Sequence, residues 1–431
     1  MFKQILKQLW YYRRGNAWLL IEMTLIAAAS WFLVNAIWPN AYRKSQPDGY
    51  DARGVYAVEI RRLHDGQTGY RPEMDSRERR SADFHRIGQT LRDMPEIEYA
   101  AAVGSTMPGL SLSNYNHGME LDSVTGEYLP YAYHLREAGG EDLKMMGYRQ
   151  IWPDGAPIED VPGTVIITED VAETLFPGEN PVGRRLGRYS DQSQYGWTIA
   201  GVIAPVKVEK DKEYRPMIFF TTPDIVREED NIDALWCFRL APGVDEEEFI
   251  HKAKMTWRED LVFGNYRTGS VFPMERRLKD TMADTFIWRA LLVFVLLCVL
   301  IGVASFTWLR TRERRGEIGV RRAMGGSRGI LVMQQLAEVW MLWFLAMLLG
   351  LVIVLNILLI GKVNFCASAL YDGYILDLTR ERLSVLFDPV RHFLAVSGIA
   401  AAVMLAVVTL STIVPVAGAM RESPAEVLKD E

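Results

Sequence analysis

Cysteine is nearly absent: Cys237, Cys298 and Cys366 are all that 431 residues contain. So few, and without paired spacing, they exclude a disulfide framework and a thiolate zinc cluster. No long run of Lys or Arg occurs. Lys+Arg total 48 against 54 Asp+Glu, a formal net charge of −6, which argues against nucleic acid as the main partner. No G-x-x-x-x-G-K-[ST] loop is present to cradle nucleotide phosphates, and Gly361-Lys362-Val363 is not one. The six histidines (His64, His85, His117, His134, His251, His392) show no H-E-x-x-H or other paired spacing and read as surface or interface residues. Ser105, within Gly104-Ser105-Thr106, lacks a G-x-S-x-G elbow and reads as a turn hydroxyl. Repeats and low-complexity tracts are missing as well. Catalytic, cofactor-binding and metal-binding residues are therefore all expected to be none, and the chain is expected not to be an enzyme.

What the sequence has is segregation. Its charged content of 24% is ordinary, yet the apolar residues gather into four windows: Ala17–Trp38, Ala290–Leu309, Val339–Gly361 and Phe393–Val414. A hydrocarbon core of roughly 30 Å needs about 20 helical residues, and each window supplies them. Glu22 and Asn35 interrupt the first. Ala27-Ala28-Ala29 resembles a signal-peptide cleavage site. The apolar run, however, continues through Trp31-Phe32-Leu33-Val34 after sixteen preceding residues, so a retained span is expected. Glu22 reads as snorkelling or hydrogen-bonded within the bundle, and Asn35 and Asn356 as interhelical hydrogen-bonding groups.

Basic residues orient the spans. The N-terminus carries Lys3, Lys7, Arg13 and Arg14. The loop after the second window carries seven arginines (Arg310, Arg312, Arg314, Arg315, Arg321, Arg322, Arg328) against Glu313 and Glu317. Residues 362–392 balance their charges. Both termini and the arginine loop are thus expected in the cytoplasm, with residues 39–285 outside; Arg43 and Lys44 are a minor counter-signal. On this reading Cys237 and Cys366 share the oxidising side, and whether they pair stays open. Phe2, Ile5, Leu6 and Leu9 at i, i+3, i+4, i+7 predict an amphipathic helix along the bilayer, with docking to another protein as the alternative.

The outside region mixes strand and helix patterns. Gly54–Ile60, Tyr99–Val103, Thr164–Thr168, Trp197–Ile203 and Trp236–Leu240 read as strands; Asp83–Met94, Glu169–Leu175 and Asp245–Arg258 read as helices. The expected fold class is integral membrane α-helical, four transmembrane helices with a large α+β extracytoplasmic domain. The expected organisation is a cytoplasmic amphipathic helix 1–16, span 17–38, the outside domain 39–285, span 286–309, a cytoplasmic helix 310–328, span 329–361, an outside loop 362–392, span 393–414 and a cytoplasmic C-terminal helix 415–431.

The arginine loop runs Arg314-Arg315-Gly316-Glu317-Ile318-Gly319-Val320-Arg321-Arg322-Ala323-Met324-Gly325-Gly326-Ser327. Ile318, Arg321 and Arg322 sit at i, i+3, i+4, Gly325-Gly326 can end a helix, and Ser327 can cap the next. Its charges alone fit a force-transmitting cationic helix and a simple positive-inside signal equally well. The loop resembles the R-R-x-E-I-G-[IV]-R-[KR]-A-[LM]-G-[AG]-S pattern of MacB/FtsX-type ABC transporter permeases. Glu338, Pro415 and Pro424-Ala425-Glu426-Val427-Leu428 resemble further features of that family, and Ser423-Pro424-Ala425-Glu426 is also a capping box with proline at N1. So do Glu141–Tyr148, Val165–Glu169, Leu175-Phe176-Pro177, Asn180–Gly183 and Trp197–Ile203 outside.

The resemblance implies that Arg314, Arg315, Glu317, Ile318, Gly319, Arg321, Arg322 and Gly325 form the coupling helix that docks on a cytoplasmic P-loop ATPase subunit. MacB's fused ATPase is missing, so the ATPase is expected in trans. A single four-span unit implies a second permease chain, identical or a paralogue. The expected function is ATP-coupled conformational change of the outside domain in a bacterial inner membrane, for export or extraction of a drug, peptide, lipid or lipoprotein. A periplasmic adaptor or substrate protein is a further partner in this picture, besides the lipid bilayer. The alternative is an FtsX-like regulator that switches a cell-wall hydrolase or sensor.

Overall fold

The structure, a computed structural model, describes residues 13–107, 110–111, 116–122, 127–186, 196–208, 213–226, 234–274, 283–313, 324, 327–363, 365–366 and 381–419. The helices are α1 (Arg13–Ser45), α2 (Arg77–Arg92), α3 (Asp142–Met145), α4 (Glu169–Leu175), α5 (Glu246–Asp260), α6 (Ala283–Glu313), α7 (Arg328–Ile360), α8 (Ser384–Phe387) and α9 (Pro389–Ala419). The strands are β1 (Val55–Arg62), β2 (Ile97–Met107), β3 (Leu110–Ser111), β4 (Asn116–Asp122), β5 (Glu127–Glu137), β6 (Gln150–Trp152), β7 (Thr164–Thr168), β8 (Arg185–Leu186), β9 (Trp197–Ile203), β10 (Val206–Lys207), β11 (Tyr214–Arg215), β12 (Met217–Thr222), β13 (Ala234–Leu240), β14 (Val262–Phe263) and β15 (Tyr266–Pro273). They fall into two units: Met1–Ala41, Met282–Leu370 and Ser384–Glu431 form a helical unit; Tyr42–Thr281 and Tyr371–Leu383 form a sheet unit.

In the helical unit, four helices are long and apolar enough to cross a membrane: Asn16–Ser45, Phe286–Glu313, Gly329–Ile360 and Pro389–Val416. The shortest, at 28 residues, spans about 42 Å at 1.5 Å per residue. Leu19, Met23 and Ala27 of α1 meet Val299 and Val303 of α6, Val339, Leu342 and Ala346 of α7, and Met404 and Val408 of α9 in one core. Outward, α6 exposes Phe286, Ile287, Phe294 and Ile301, and α7 exposes Phe344, Leu348 and Val352. An apolar exterior around an apolar core is a lipid-facing pattern. Gly350 lets α1 and α7 approach: a Cβ there would meet Ala27 Cβ at 2.9 Å and the Thr24 carbonyl at 3.1 Å. Small residues at such a crossing maximise packing where no hydrophobic force drives helices together.

Two prolines sit inside helices where the sequence suggests ends. α1 continues through Pro39 to Ser45, and α9 through Pro415 to Ala419. A proline removes one intrahelical donor, and each helix nevertheless continues past its proline.

The sheet unit is built on a mixed 13-stranded sheet whose main path of ten strands runs β14-β15-β1-β13-β2-β5-β12-β7-β9-β6, with β3, β4 and β8 paired beside it on β2, β5 and β9. β5–β12 and β7–β9 are parallel; the other pairs along this order are antiparallel. Successive side chains alternate faces, and here both faces are covered. From β13, Trp236, Phe238 and Leu240 enter one core while Leu235 and Cys237 enter the other; β1 and β2 divide in the same way. This explains why the central strands read as near-continuous apolar runs. On the first face Phe84, Ile87 and Leu91 of α2 and Phe249, Ile250, Ala253 and Trp257 of α5 close the core. On the second, Met145 and Met146 cover β1, β2 and β13.

α2 begins at Arg77, six residues before the expected start. Ser76 caps it, accepting from the Arg79 amide at 3.4 Å. Its first turn, Arg77-Glu78-Arg79-Arg80, is charged and carries no apolar signal. The expected amphipathic helix at Phe2–Leu9 and the C-terminal helix at residues 423–428 lie outside the described residues.

Candidate functional site

The expected coupling residues Arg314, Arg315, Glu317, Ile318, Gly319, Arg321, Arg322 and Gly325 also lie outside the described residues. Their frame is described. α6 reaches Glu313, with Thr311 buried and its hydroxyl donating to the Thr307 carbonyl at 2.7 Å. The Arg312 guanidinium lies over the Trp308 ring, 5.6 Å from its centroid. On the far side Ser327 caps α7, its Oγ accepting from the Ile330 amide at 3.4 Å. Glu338 of α7 is only 1% exposed. In sequence the segment therefore follows α6 and precedes the capped start of α7.

Two polar contacts inside the helical unit join different helices. Trp31, fully buried, donates from Nε1 to Ser397 Oγ at 3.0 Å, and the rings of Phe32, Phe365 and Phe393 surround it. His392 Nε2 stands 2.7 Å from Asn35 Oδ1, and its Nδ1 3.2 Å from the Val385 carbonyl. Glu22 is half-buried beside Gly302, where a Cβ would fall 2.5 Å from its Oε1. Asn356, expected between helices, instead donates to its own helix at the Val352 carbonyl, 2.7 Å away.

The sheet unit contains three built polar clusters. The first holds the last turn of α1. Lys207, 1% exposed, donates from Nζ to the carbonyls of Arg43 (2.6 Å) and Gln46 (2.8 Å), and lies 3.4 Å from Asp48 Oδ1. Arg43 pairs with Glu213 at 2.6 Å, and the Tyr214 hydroxyl donates to the Pro47 carbonyl at 2.8 Å. The strand pair β10–β11 therefore supplies donors to carbonyls at and just beyond the end of α1, where the Arg43 carbonyl also accepts from the Gln46 amide at 3.1 Å.

The second cluster centres on Arg136, also 1% exposed. It donates to both oxygens of Asp142 (2.7 and 2.9 Å), to Asp160, to Thr221 Oγ1 (3.3 Å) and to the Gly140 carbonyl (3.2 Å). Burial alone would raise the Asp142 carboxyl; the Arg136 guanidinium, with the His134 ring 3.7 Å away, holds it well below the ordinary carboxylate range. Such a pair fixes geometry more than it adds stability. Cys237, buried nearby in the core, is a free thiol pushed upward by burial, as befits an inert core residue.

The third cluster brings together His85, Glu137 and Asp224. These residues are 52 and 87 positions apart, so no local spacing could reveal them. The reading of the histidines as surface or interface residues needs correcting for His134, which is fully buried in the sheet unit; His392, 1% exposed, sits where helices meet. Both find polar neighbours among packed elements, which periodicity does not report. Cys298 is likewise a free thiol.

Residues 289–424 match the family model described as FtsX-like permease C-terminal. No curated protein matches the chain. Among solved structures it is similar to the periplasmic region of MacB from Actinobacillus actinomycetemcomitans, at 8% identity over 55% of this chain and 95% of that one, with a TM-score of 0.34. It is also similar to the extracellular domain of the noncanonic ABC-type transporter YknZ from Gram-positive bacteria, at 12% identity over 50% of this chain and 100% of that one, TM-score 0.30.

Proposed function

We infer that this chain, whose residues 289–424 match the FtsX-like permease C-terminal family model, is the membrane subunit of an ABC transporter powered by a separate cytoplasmic P-loop ATPase. The observation that carries the reading is the placement of an arginine-dense segment, 314–325, between two helices apolar enough to cross a membrane. Arg314, Arg315, Arg321 and Arg322 put it on the cytoplasmic side, where Glu317, Ile318, Gly319 and Gly325 complete the surface offered to the ATPase. Both termini then lie in the cytoplasm and the sheet unit outside it, in a bacterial inner membrane.

ATP-driven closure of two ATPases would draw two such segments together, one from each of two permease chains. α6 carries that motion across the bilayer as a rigid rod. Among its described interior positions α6 has no acidic or basic side chain between Ala290 and Leu309, which suits a rod better than a hydrophilic conduit. The sheet unit is the receiving end, acting on a drug, peptide, lipid or lipoprotein, with or without a periplasmic adaptor.

The test is affinity capture of the intact complex from membranes, comparing wild type with an E317A/R321A variant. A P-loop ATPase co-purifying with wild type, and lost or uncoupled in the variant, supports the reading. Absence of any ATPase, or a variant that behaves like wild type, overturns it. Labelling of R312C and S327C in intact cells checks the orientation; reactivity with an impermeant reagent from outside would also overturn it. Capture of a dedicated hydrolase on the sheet unit, without substrate flux, would assign the regulatory role instead.

A further inference from the structure

We propose that His85, Glu137 and Asp224 form a binding site on the sheet unit for a divalent cation of the zinc class. The three side chains come from three elements: α2, the last residue of β5, and the turn after β12. Parallel pairing of β5 with β12 sets Glu137 beside Thr222, and α2 packs across this end of the sheet. One ligand atom from each residue lies within 4.8 Å of the others.

The histidine is oriented as a metal ligand. His85 Nδ1 stands 2.7 Å from the Ser81 carbonyl, which can only accept, so Nδ1 carries a hydrogen and Nε2 is presented to the carboxylates. Ligating histidines nearly always spend the second ring nitrogen on such a partner. Nε2 lies 2.8 Å from Glu137 Oε1.

Both carboxylates are held in turn by backbone. Glu137 Oε1 accepts from the Ile225 amide at 2.9 Å and Asp224 Oδ1 from the Val226 amide at 2.8 Å. These bonds pin one oxygen of each acid and leave the other available. Each of the three residues is half-buried, so the cluster is open to solvent on one side.

The donor set selects the ion. One imidazole and two carboxylates suit Zn²⁺ or Co²⁺; Ca²⁺ and Mg²⁺ need more oxygens. Two carboxylates neutralise the charge, and water fills the fourth position. Ligands at about 2.0–2.2 Å around a tetrahedral ion sit about 3.3 Å apart, so the 2.8 Å contact must open by about half an ångström. A turn of the Glu137 carboxylate that keeps Oε1 on the Ile225 amide and offers Oε2 to the ion provides that. The rival occupant is a proton on Nε2, which would make the cluster an ordinary imidazolium–carboxylate pair.

The experiment titrates chelator-treated, tag-free full-length protein in detergent with Zn²⁺ by calorimetry and with Co²⁺ by visible absorption. The expected result is one ion per chain, a tetrahedral cobalt d–d band, and no competition from equimolar Mg²⁺ or Ca²⁺. H85A should abolish the band, and D224N, in the half-buried turn after β12, should weaken affinity more than about tenfold while leaving the circular dichroism unchanged. No cobalt band in wild type, or binding indifferent to both substitutions, overturns the proposal. Neither outcome bears on ATPase capture, so this site and the transporter reading stand or fall separately.

Discussion

The benzo ring of Trp236 rests on the backbone of Gly88: a Cβ at that glycine would fall 2.0 Å from Cζ2 and 2.1 Å from Cη2. The indole Nε1 donates to the Phe84 carbonyl one turn earlier at 3.0 Å, so helix and ring are locked together. G88A should destabilise the sheet unit by about 1–3 kcal/mol through overpacking. In thermal or urea unfolding of the purified chain, adding W236F should recover part of that loss. The double variant is expected to be less destabilised than the sum of the two singles.

The Arg136–Asp142 pair gives the sheet unit an acid limit. Asp142 titrates lower in the folded chain than its ordinary 3.8, so its contribution is present above that value and is lost as pH falls through the folded pKa. D142N should cost about 3–5 kcal/mol near neutrality, because Arg136 loses a buried partner. Its stability should also fall less steeply than that of wild type below about pH 4. Urea titrations at several pH values read both effects.

Gly350 predicts a steric limit in the helical unit. G350A forces a shift of α1 against α7 and should lower the detergent-state melting temperature; G350L, far larger, should prevent a monodisperse fold. Fluorescence-detected size exclusion after heating distinguishes the two.

K207M keeps the aliphatic stem and removes the donors to the Arg43 and Gln46 carbonyls. The Arg43 carbonyl keeps the Gln46 amide, so the loss falls mainly on the Gln46 carbonyl and costs about 1 kcal/mol. Hydrogen exchange across residues 43–48 should accelerate several-fold, with the centres of β2 and β13 unaffected. Equal protection in wild type and variant would remove Lys207 from this role.

Much of the architecture was legible because burial writes itself into composition. Thr164–Thr168 and Trp197–Ile203 occupy the strands expected of them, since both of their faces are covered and their runs are apolar. Asp245 caps α5, accepting from the Glu248 amide at 3.1 Å, as its position before three glutamates suggests. β4 was invisible: Asn116-His117-Gly118-Met119-Glu120-Leu121-Asp122 has little strand propensity, and only its pairing with β5 makes it a strand. β12 shows the opposite failing. Met217–Thr222 is apolar and fully buried, but its six residues lack the alternation that marks a half-exposed strand. The His85 cluster was beyond reach for a third reason, since its members are assembled by sheet order and share no window of sequence.

Sheet order also dictates how the chain must be made. β1 has its two neighbours in β13 and β15, so Val55–Arg62 is synthesised about 180 residues before either arrives. Until the ribosome has passed Pro273, its backbone edges stay bare, with one membrane anchor already emitted and three still to come. Long-range closure of this kind is slow, and exposed edges invite stray pairing. Biogenesis therefore hands the newborn polypeptide a vulnerable interval, in which a waiting strand can find the wrong edge.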